Sequence, residues 1–424
     1  MRVPGQRSAA LSKRLRAYEQ RNVTFFGDDF PIFWESAQGA TVIDVDGNAY
    51  IDCTAAFGVA NAGHCNPNIA RAVAGQANRL MHGMGDVHPT EIRVTLFERL
   101  AKILPRELDR FFLATTGSEA IEAALKTAML ATGKSRFAAF RGGYHGLSFG
   151  ALAVGGIERF RKPFYQVLAQ SPLLLDFPHE GGGPRAGSAG FETDIPPAGR
   201  DGDLAAIVVE PIQGRAGAIV PPPGYLRELR RICDERGALL IVDEIFTGFG
   251  RTGRWFAMER DEVVPDILCI GKAMGSGVPI SATIGRAKVM DAWPRSTGEA
   301  LHTSTYLGNP LACAAAIATI DEIERLELPA RSNRLGKSID RRLQSLRALR
   351  GVSDVRGRGL LRAVALDKAE RAERVVRRAL SNGVIFLQSG IEGDVVTISP
   401  PLTIEEDRLG RAIEVLEAAI KETA

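Results

Sequence analysis

Residues 40–52 alternate apolar and polar positions around Asp46-Gly47. That pattern predicts two strands joined by a tight turn. A Gly-containing loop is expected over 57–67, and from about Ile69 the apolar spacing becomes helical with strands interspersed. Short apolar runs at 111–114, Arg136–Phe140, 205–210 and 239–242 read as strands, and 118–132 and Tyr225–Arg236 as helices. On the 118–132 helix, Ile121, Ala124, Leu125, Ala128 and Met129 share a face. Apolar strands alternating with helices argue for an α/β fold on a mainly parallel sheet covered on both faces. The Gly/Pro-rich stretch 179–203 is too long for an ordinary connection and reads as a surface insertion, with a lid as the second reading.

Past Pro310 the pattern changes. Residues 311–350 are helical and charged, 352–355, 360–366 and Val395–Ile398 read as strands, and Ala369–Ser381 as a helix. Leu409, Ile413, Leu416 and Ile420 line one face of a closing helix over 405–421. The expected division is an N-terminal arm and hairpin over 1–59 belonging to a smaller domain, a large domain over 60–310, and a C-terminal α+β portion over 311–424.

A chain of 424 residues has room for two or three core-forming units. A net charge of +3, with no basic run interleaved with aromatics, gives no reason to expect nucleic acid as a partner. No apolar stretch reaches the roughly 18 residues of a membrane span. The five cysteines, Cys53, Cys65, Cys233, Cys269 and Cys313, are odd in number and form no CxxC pair. They read as small buried hydrophobes in a reducing, cytoplasmic setting, with no metal site expected. Arg2, Arg7, Lys13, Arg14 and Arg16 precede the first acid, Glu19, as in an organelle transit peptide. An exposed basic helix explains them equally simply, and that is the reading taken.

The chemistry gathers where apolar runs end. Residues 238–242 lead into Asp243-Glu244, and 265–270 lead into Gly271-Lys272 on a Gly-rich stretch. A lysine on a loop and an acid at a strand end suit a pyridoxal phosphate enzyme. The amine can form a Schiff base with the aldehyde, and the acid can keep the pyridine nitrogen protonated. Thr116-Gly117-Ser118-Glu119 opens a helix. It is a capping box, and its backbone N–H groups and dipole also suit a phosphate. Tyr144, flanked by glycines after a strand, could lie on a cofactor ring, while His145 could act as a base or brace the turn. Glu210 and Gln213 follow another strand and point toward the same sheet edge as Asp243. Gly248–Gly253 matches GxGxxG, but the residues after it do not continue as a Rossmann helix, so a nucleotide-dependent oxidoreductase is the weaker alternative. The polar loop 302–310, with Thr305, could hold a phosphate or merely cap a helix.

Taken together, these motifs resemble the class III aminotransferases, the ornithine, 4-aminobutyrate and amine:pyruvate type, over about residues 39–402. The most specific part is 241–253 followed by Lys272. The resemblance implies the fold type I architecture: a large domain with a mainly parallel seven-stranded sheet and a smaller α+β domain. It implies pyridoxal 5'-phosphate as cofactor, with Lys272 bonded to it and shuttling the proton, and Asp243 on the pyridine nitrogen. Tyr144, with His145 beside it, and Ile245 would lie on the ring faces, Gly117 and Ser118 would hold the phosphate, and Glu210 would order the polar edge. Thr305 would reach the neighbouring subunit's phosphate, which implies a homodimer with its sites at the interface. Phe57, Arg215 and Thr397 would surround the amine and keto-acid substrates.

Three positions depart from the pattern. Thr397 stands where relatives that use glutamate carry a carboxylate-clamping arginine. Arg215 stands where ornithine-type relatives carry a glutamate; it could meet a substrate carboxylate or point to solvent or an interface. Phe246 replaces a glutamine near the cofactor's phenolic oxygen, leaving that hydrogen bond to another group such as Gln213. The expected reaction is ping-pong transfer from a primary amine or ω-amino acid to a keto acid, pyruvate ahead of 2-oxoglutarate. An aminomutase or epimerase of the same family is the alternative.

Overall fold

The computed structural model describes residues 3–168, 172–180 and 204–424. Seven strands form its largest sheet, in the spatial order Arg110–Ala114, Ser281–Gly285, Ile267–Ile270, Leu239–Asp243, Leu204–Val209, Arg136–Phe140 and Leu173–Leu175. All neighbours are parallel except Ser281–Gly285, which runs antiparallel to both strands beside it. Val208, Val209, Ile241, Val242, Leu268 and Cys269 are fully buried. A central strand covered on both faces needs such an unbroken apolar run. The sequence pattern had not separated Leu173–Leu175 or Ser281–Gly285 from their surroundings.

The helix Gly117–Thr132 packs on this sheet through a small-residue face, with Ala120, Ala123, Ala124 and Ala128 buried. Short side chains let its backbone approach the sheet closely, and Ser281 and Thr283 use that proximity. Ser281 Oγ donates to Thr116 O and Thr283 Oγ1 to Ala120 O, both at 2.6 Å. Met129, expected on the buried face, is exposed. It lies in the last turn before the left-handed Gly133 cap, at the edge of the apolar stripe.

The hairpin forms as expected, with Thr41–Asp44 antiparallel to Ala49–Asp52 and Gly47 at φ +83°. Trp34–Gln38 extends it on one side, and Val384–Ile385 adds a parallel strand on the other. A third, antiparallel sheet holds Val352–Arg358, Leu361–Leu366, Val395–Ile398 and Leu387–Ser389. The stretch 311–350 is two helices, Pro310–Arg325 and Leu328–Ser345, broken at Glu327 with φ +48°. The basic N-terminus forms the helix Gln6–Arg16. The expected loop at 57–67 begins with a left-handed turn at Ala55–Gly58, and its last residue already opens the helix Pro67–Ala77 under an Asn66 cap. The 179–203 insertion lies outside the described residues apart from His179 and Glu180. Four of the cysteines are buried, while Cys65 is exposed. Among the described residues no helix is long and apolar enough to cross a membrane.

Candidate active site

Four adjacent parallel strands end at one edge of the large sheet, and each delivers a polar residue there. Arg136–Phe140 leads to Tyr144 and His145, Leu204–Val209 to Glu210, Leu239–Asp243 ends on Asp243, and Ile267–Ile270 leads to Lys272. Ligands of open parallel sheets gather at such carboxyl ends.

Asp243 is nearly inaccessible and held from two sides. Its Oδ1 accepts the Ile245 N–H at 3.0 Å, and its Oδ2 lies 2.7 Å from His145 Nδ1. Glu210 joins two turns, accepting the Tyr144 N–H at 2.9 Å on Oε1 and the Gly214 N–H at 3.0 Å on Oε2. Lys272 opens a short 3-10 turn at φ +44°, a conformation that costs a non-glycine residue strain. Its Nζ sits 4.9 Å from the centre of the Phe246 ring.

The charges tune one another. Burial lowers the pKa of Lys272, opposed by the nearby Asp243 and Glu210 carboxylates. Burial likewise pushes Glu210 up to about 7, with His145 pulling down and Asp243 pushing up. Burial works against a charge on His145, but the Asp243 hydrogen bond and charge prevail and its pKa is raised. The arrangement favours an imidazolium paired with a carboxylate, beside a lysine that gives up its proton more readily than one in water.

The head of the Gly117–Thr132 helix is built as a cradle. The capping box is complete: Thr116 Oγ1 accepts the Glu119 N–H at 3.3 Å, and Glu119 Oε2 accepts the Thr115 and Thr116 N–H groups at 2.7 and 3.2 Å. A Cβ on Gly117 would come 2.9 Å from Ile245 Cδ1, and one on Gly146 2.3 Å from Ser118 Oγ. Ser118 Oγ is braced by Ser148 Oγ at 2.7 Å, and Ser148 Oγ donates to Glu122 Oε1 at 2.7 Å. The sequence reading missed this bracing, whose partners lie about one strand further along the chain.

The other expected residues are distributed around this centre. The half-buried Tyr144 ring packs edge-on against Phe160 at 5.9 Å. Arg215 is half-buried, its Nη1 donating to Gly390 O at 3.3 Å, so it does not stand free in solvent. Burial lowers its pKa, and Arg159, a second cation not singled out in the sequence, lowers it further, while Tyr144 opposes them. Among the described residues neither arginine forms an ion pair. Gln213 is buried, and its Nε2 donates to Arg141 O at 2.9 Å, clamping that turn. Thr397 is buried in the third sheet and shares a hydrogen bond with Ser389. Phe57 is 64% exposed. It lines an apolar cavity of about 470 Å³ with Leu15, Phe25, Phe30, Trp34 and Phe386. Thr305 is exposed.

The GxGxxG stretch leaves no space for a dinucleotide. A Cβ on Gly250 would meet Leu402 at 3.0 Å, and one on Gly253 would meet Asn333 at 3.0 Å. Arg251 between them is fully buried, donating to Pro400 O at 2.6 Å and Leu360 O at 3.1 Å, with Asn61 Oδ1 as a third partner.

A lysine on a strained turn, an acid backed by an imidazole and an anion cradle at a helix head form one constellation. It belongs to the pyridoxal phosphate enzymes built on an open α/β sheet. Residues 26–420 match the family model for class III aminotransferases, and the chain belongs to that family. It is 40% identical over 392 residues to an acetylornithine aminotransferase of Methanopyrus kandleri, covering 92% of this chain and 95% of that one. It is 38% identical over 410 residues to a putrescine aminotransferase of Pectobacterium atrosepticum, covering 95% and 85%. Among solved structures, the ornithine aminotransferase of Toxoplasma gondii aligns with a TM-score of 0.88 at 31% identity, covering 99% of this chain and 96% of that one. An amine transaminase from an uncultivated Pseudomonas species, in its PLP-bound form, aligns with a TM-score of 0.87 at 30% identity, covering 96% and 99%. The protein is a class III aminotransferase whose cofactor is pyridoxal phosphate, and the glycine-lined cradle, the buried acid and the lysine fit that group.

Proposed function

We propose that the enzyme moves an amino group from a primary amine or an ω-amino acid to a keto acid, pyruvate ahead of 2-oxoglutarate, in two half-reactions of ping-pong type. The observation that carries the reading is the meeting of a half-buried Lys272 with the buried Asp243, His145 and Glu210 at one sheet edge. Bound pyridoxal phosphate supplies an aldehyde that takes up the amino group and a ring that withdraws electrons. Lys272 would hold that group through Nζ and, freed by the donor amine, would take up a proton from the donor carbon at Nζ and give it back as the amino group moves. Asp243, held by His145 through its Oδ2, would sit on the ring nitrogen. Tyr144 and Ile245 would hold the ring from its two faces, and Gly117 and Ser118 would bind the phosphate. Glu210 holds the Tyr144 and Gly214 turns in register with Asp243.

The donor preference rests on two walls. Thr397 and Ser389 satisfy each other, so no cation stands where a clamp arginine would. The second wall is the aromatic cavity lined by Phe57, which would take an apolar donor chain if it opens toward Lys272. The putrescine relative is an example of an enzyme named for a donor without an α-carboxylate. Arg215 keeps most of its planar fork available after bonding Gly390 O, and that fork suits the acceptor's carboxylate.

The working unit is a homodimer. Met81, Met84, Val87, Leu301 and Tyr306 leave large apolar side chains exposed in two segments. Contacts of His82 with Tyr306 and of Asn309 with Met81 tie those segments together. A patch of that kind supports a subunit interface, with Thr305 inside it reaching the partner's phosphate. Five free thiols support a cytoplasmic location.

Mixing the holoenzyme with a donor amine alone tests the reading. The visible absorbance of the cofactor should be lost in one stoichiometric step, and pyruvate should restore it. Sustained turnover of the amine with no acceptor would instead identify an aminomutase.

A further inference from the structure

The Phe246 ring is held by shape. A Cβ on Gly58 would stand 2.3 Å from Phe246 Cε2, and one on Gly214 would stand 2.1 Å from Cδ1. The ring therefore rests on two backbones that bear no side chain. Gly58 closes a run of four left-handed residues, Ala55 at φ +47°, Ala56 at +48°, Phe57 at +62° and Gly58 at +77°. Three of these carry side chains that disfavour that region. The turn persists because it is anchored: Asp52 Oδ1 accepts the Thr54 N–H at 2.8 Å, and Thr54 Oγ1 accepts the Ala56 N–H at 3.1 Å. Lys272, itself left-handed, presents its Nζ 4.9 Å from the Phe246 ring centre, within the range of a cation–π contact. Two strained backbones thus converge on one ring–amine contact.

We propose that Phe246 is a positioning residue for Lys272, its ring fixed between Gly58 and Gly214 so that the lysine amine is held against a π face. Polar capacity absent from this position is replaced by a rigid wall. The charged groups that act on Lys272 are Asp243 and Glu210, with His145 paired to Asp243, and none of the three is substituted in the variants below. The inference rests on the reading of Lys272 as the residue that holds the cofactor.

Competitive acetylation of the full chain freed of cofactor, read at the Lys272 peptide by mass spectrometry against pH, tests it. F246L keeps the apolar volume but loses the π face, and should lower the pH midpoint of Lys272 labelling by about 0.5 or more. F246Y should restore the wild-type midpoint. G214A pushes the ring aside and should lower the midpoint as F246L does, yet add nothing on the F246L background. In the holoenzyme, F246L should lower kcat about tenfold with the donor KM little changed. An unshifted midpoint in F246L, or an equal G214A effect with and without F246L, would overturn the proposal, as would a rise in KM alone. If F246L does not fold by circular dichroism, the G214A midpoint decides, and no shift there overturns it. Labelling needs neither cofactor nor substrate, so it stays readable even if transamination fails.

Discussion

Asp243 and Glu244 are neighbours in sequence, both buried, and they belong to different regions. Asp243 lies at the Lys272 edge, where His145 and the Ile245 N–H hold it. Glu244 is bound on either side of the Gly248–Gly253 segment, where Thr247 and the Met258 N–H occupy its oxygens. Arg251 completes that second region with three partners drawn from distant parts of the chain. One polar region is braced but keeps capacity for a ligand, and the other spends its capacity on the protein. Burial of charge alone would not have told them apart; the destination of each hydrogen bond does.

Perturbing the two regions should separate activity from stability. Asp243→Asn removes the carboxylate proposed to meet the ring nitrogen and should lower kcat/KM about 10³-fold with little change in melting temperature. Arg251→Met should do the reverse. It leaves three buried acceptors unpaired and should cost about 3 kcal/mol in a denaturant titration, while kcat per folded molecule stays within about twofold. Arg215→Ala should raise the KM for keto-acid acceptors about tenfold and leave kcat nearly unchanged; an unchanged KM would remove Arg215 from the substrate site.

The smallest effect is one of pH. Burial raises Glu244 from an ordinary 4.5 to about 7. Its neutral form is therefore favoured in the folded state, and that contribution is whole below about pH 4.5 and lost as the pH rises through 7. Glu244→Gln cannot ionise. It should match the wild type near pH 5 and exceed it by about 1–2 kcal/mol at pH 8, read from thermal unfolding at the two pH values.

Much of the active edge was legible because its signals are local. Lys272 on a Gly-rich turn, Asp243 at the end of an apolar run and Gly117-Ser118 at a helix head each announce themselves within a few residues. The contacts that make them work are not local. His145 lies 98 residues from Asp243, and nothing near either residue specifies their 2.7 Å contact. The need for Gly58 and Gly214 arises only because the Phe246 ring lies between them. Arg251 looked like an incidental residue of a glycine pattern, yet all three of its side-chain partners come from segments more than a hundred positions away. Short strands such as Leu173–Leu175 and Val384–Ile385 are too brief for periodicity to detect and exist because a neighbouring strand pairs with them.

The central claim is that Lys272 is the residue bonded to the cofactor. Borohydride reduction of the purified holoenzyme, followed by peptide mapping, tests it most directly. The account predicts that the yellow colour bleaches, that one phosphopyridoxyl adduct appears on Lys272, and that Lys272→Ala yields no adduct. An adduct on another lysine, or none on the wild-type chain after reduction, would contradict it.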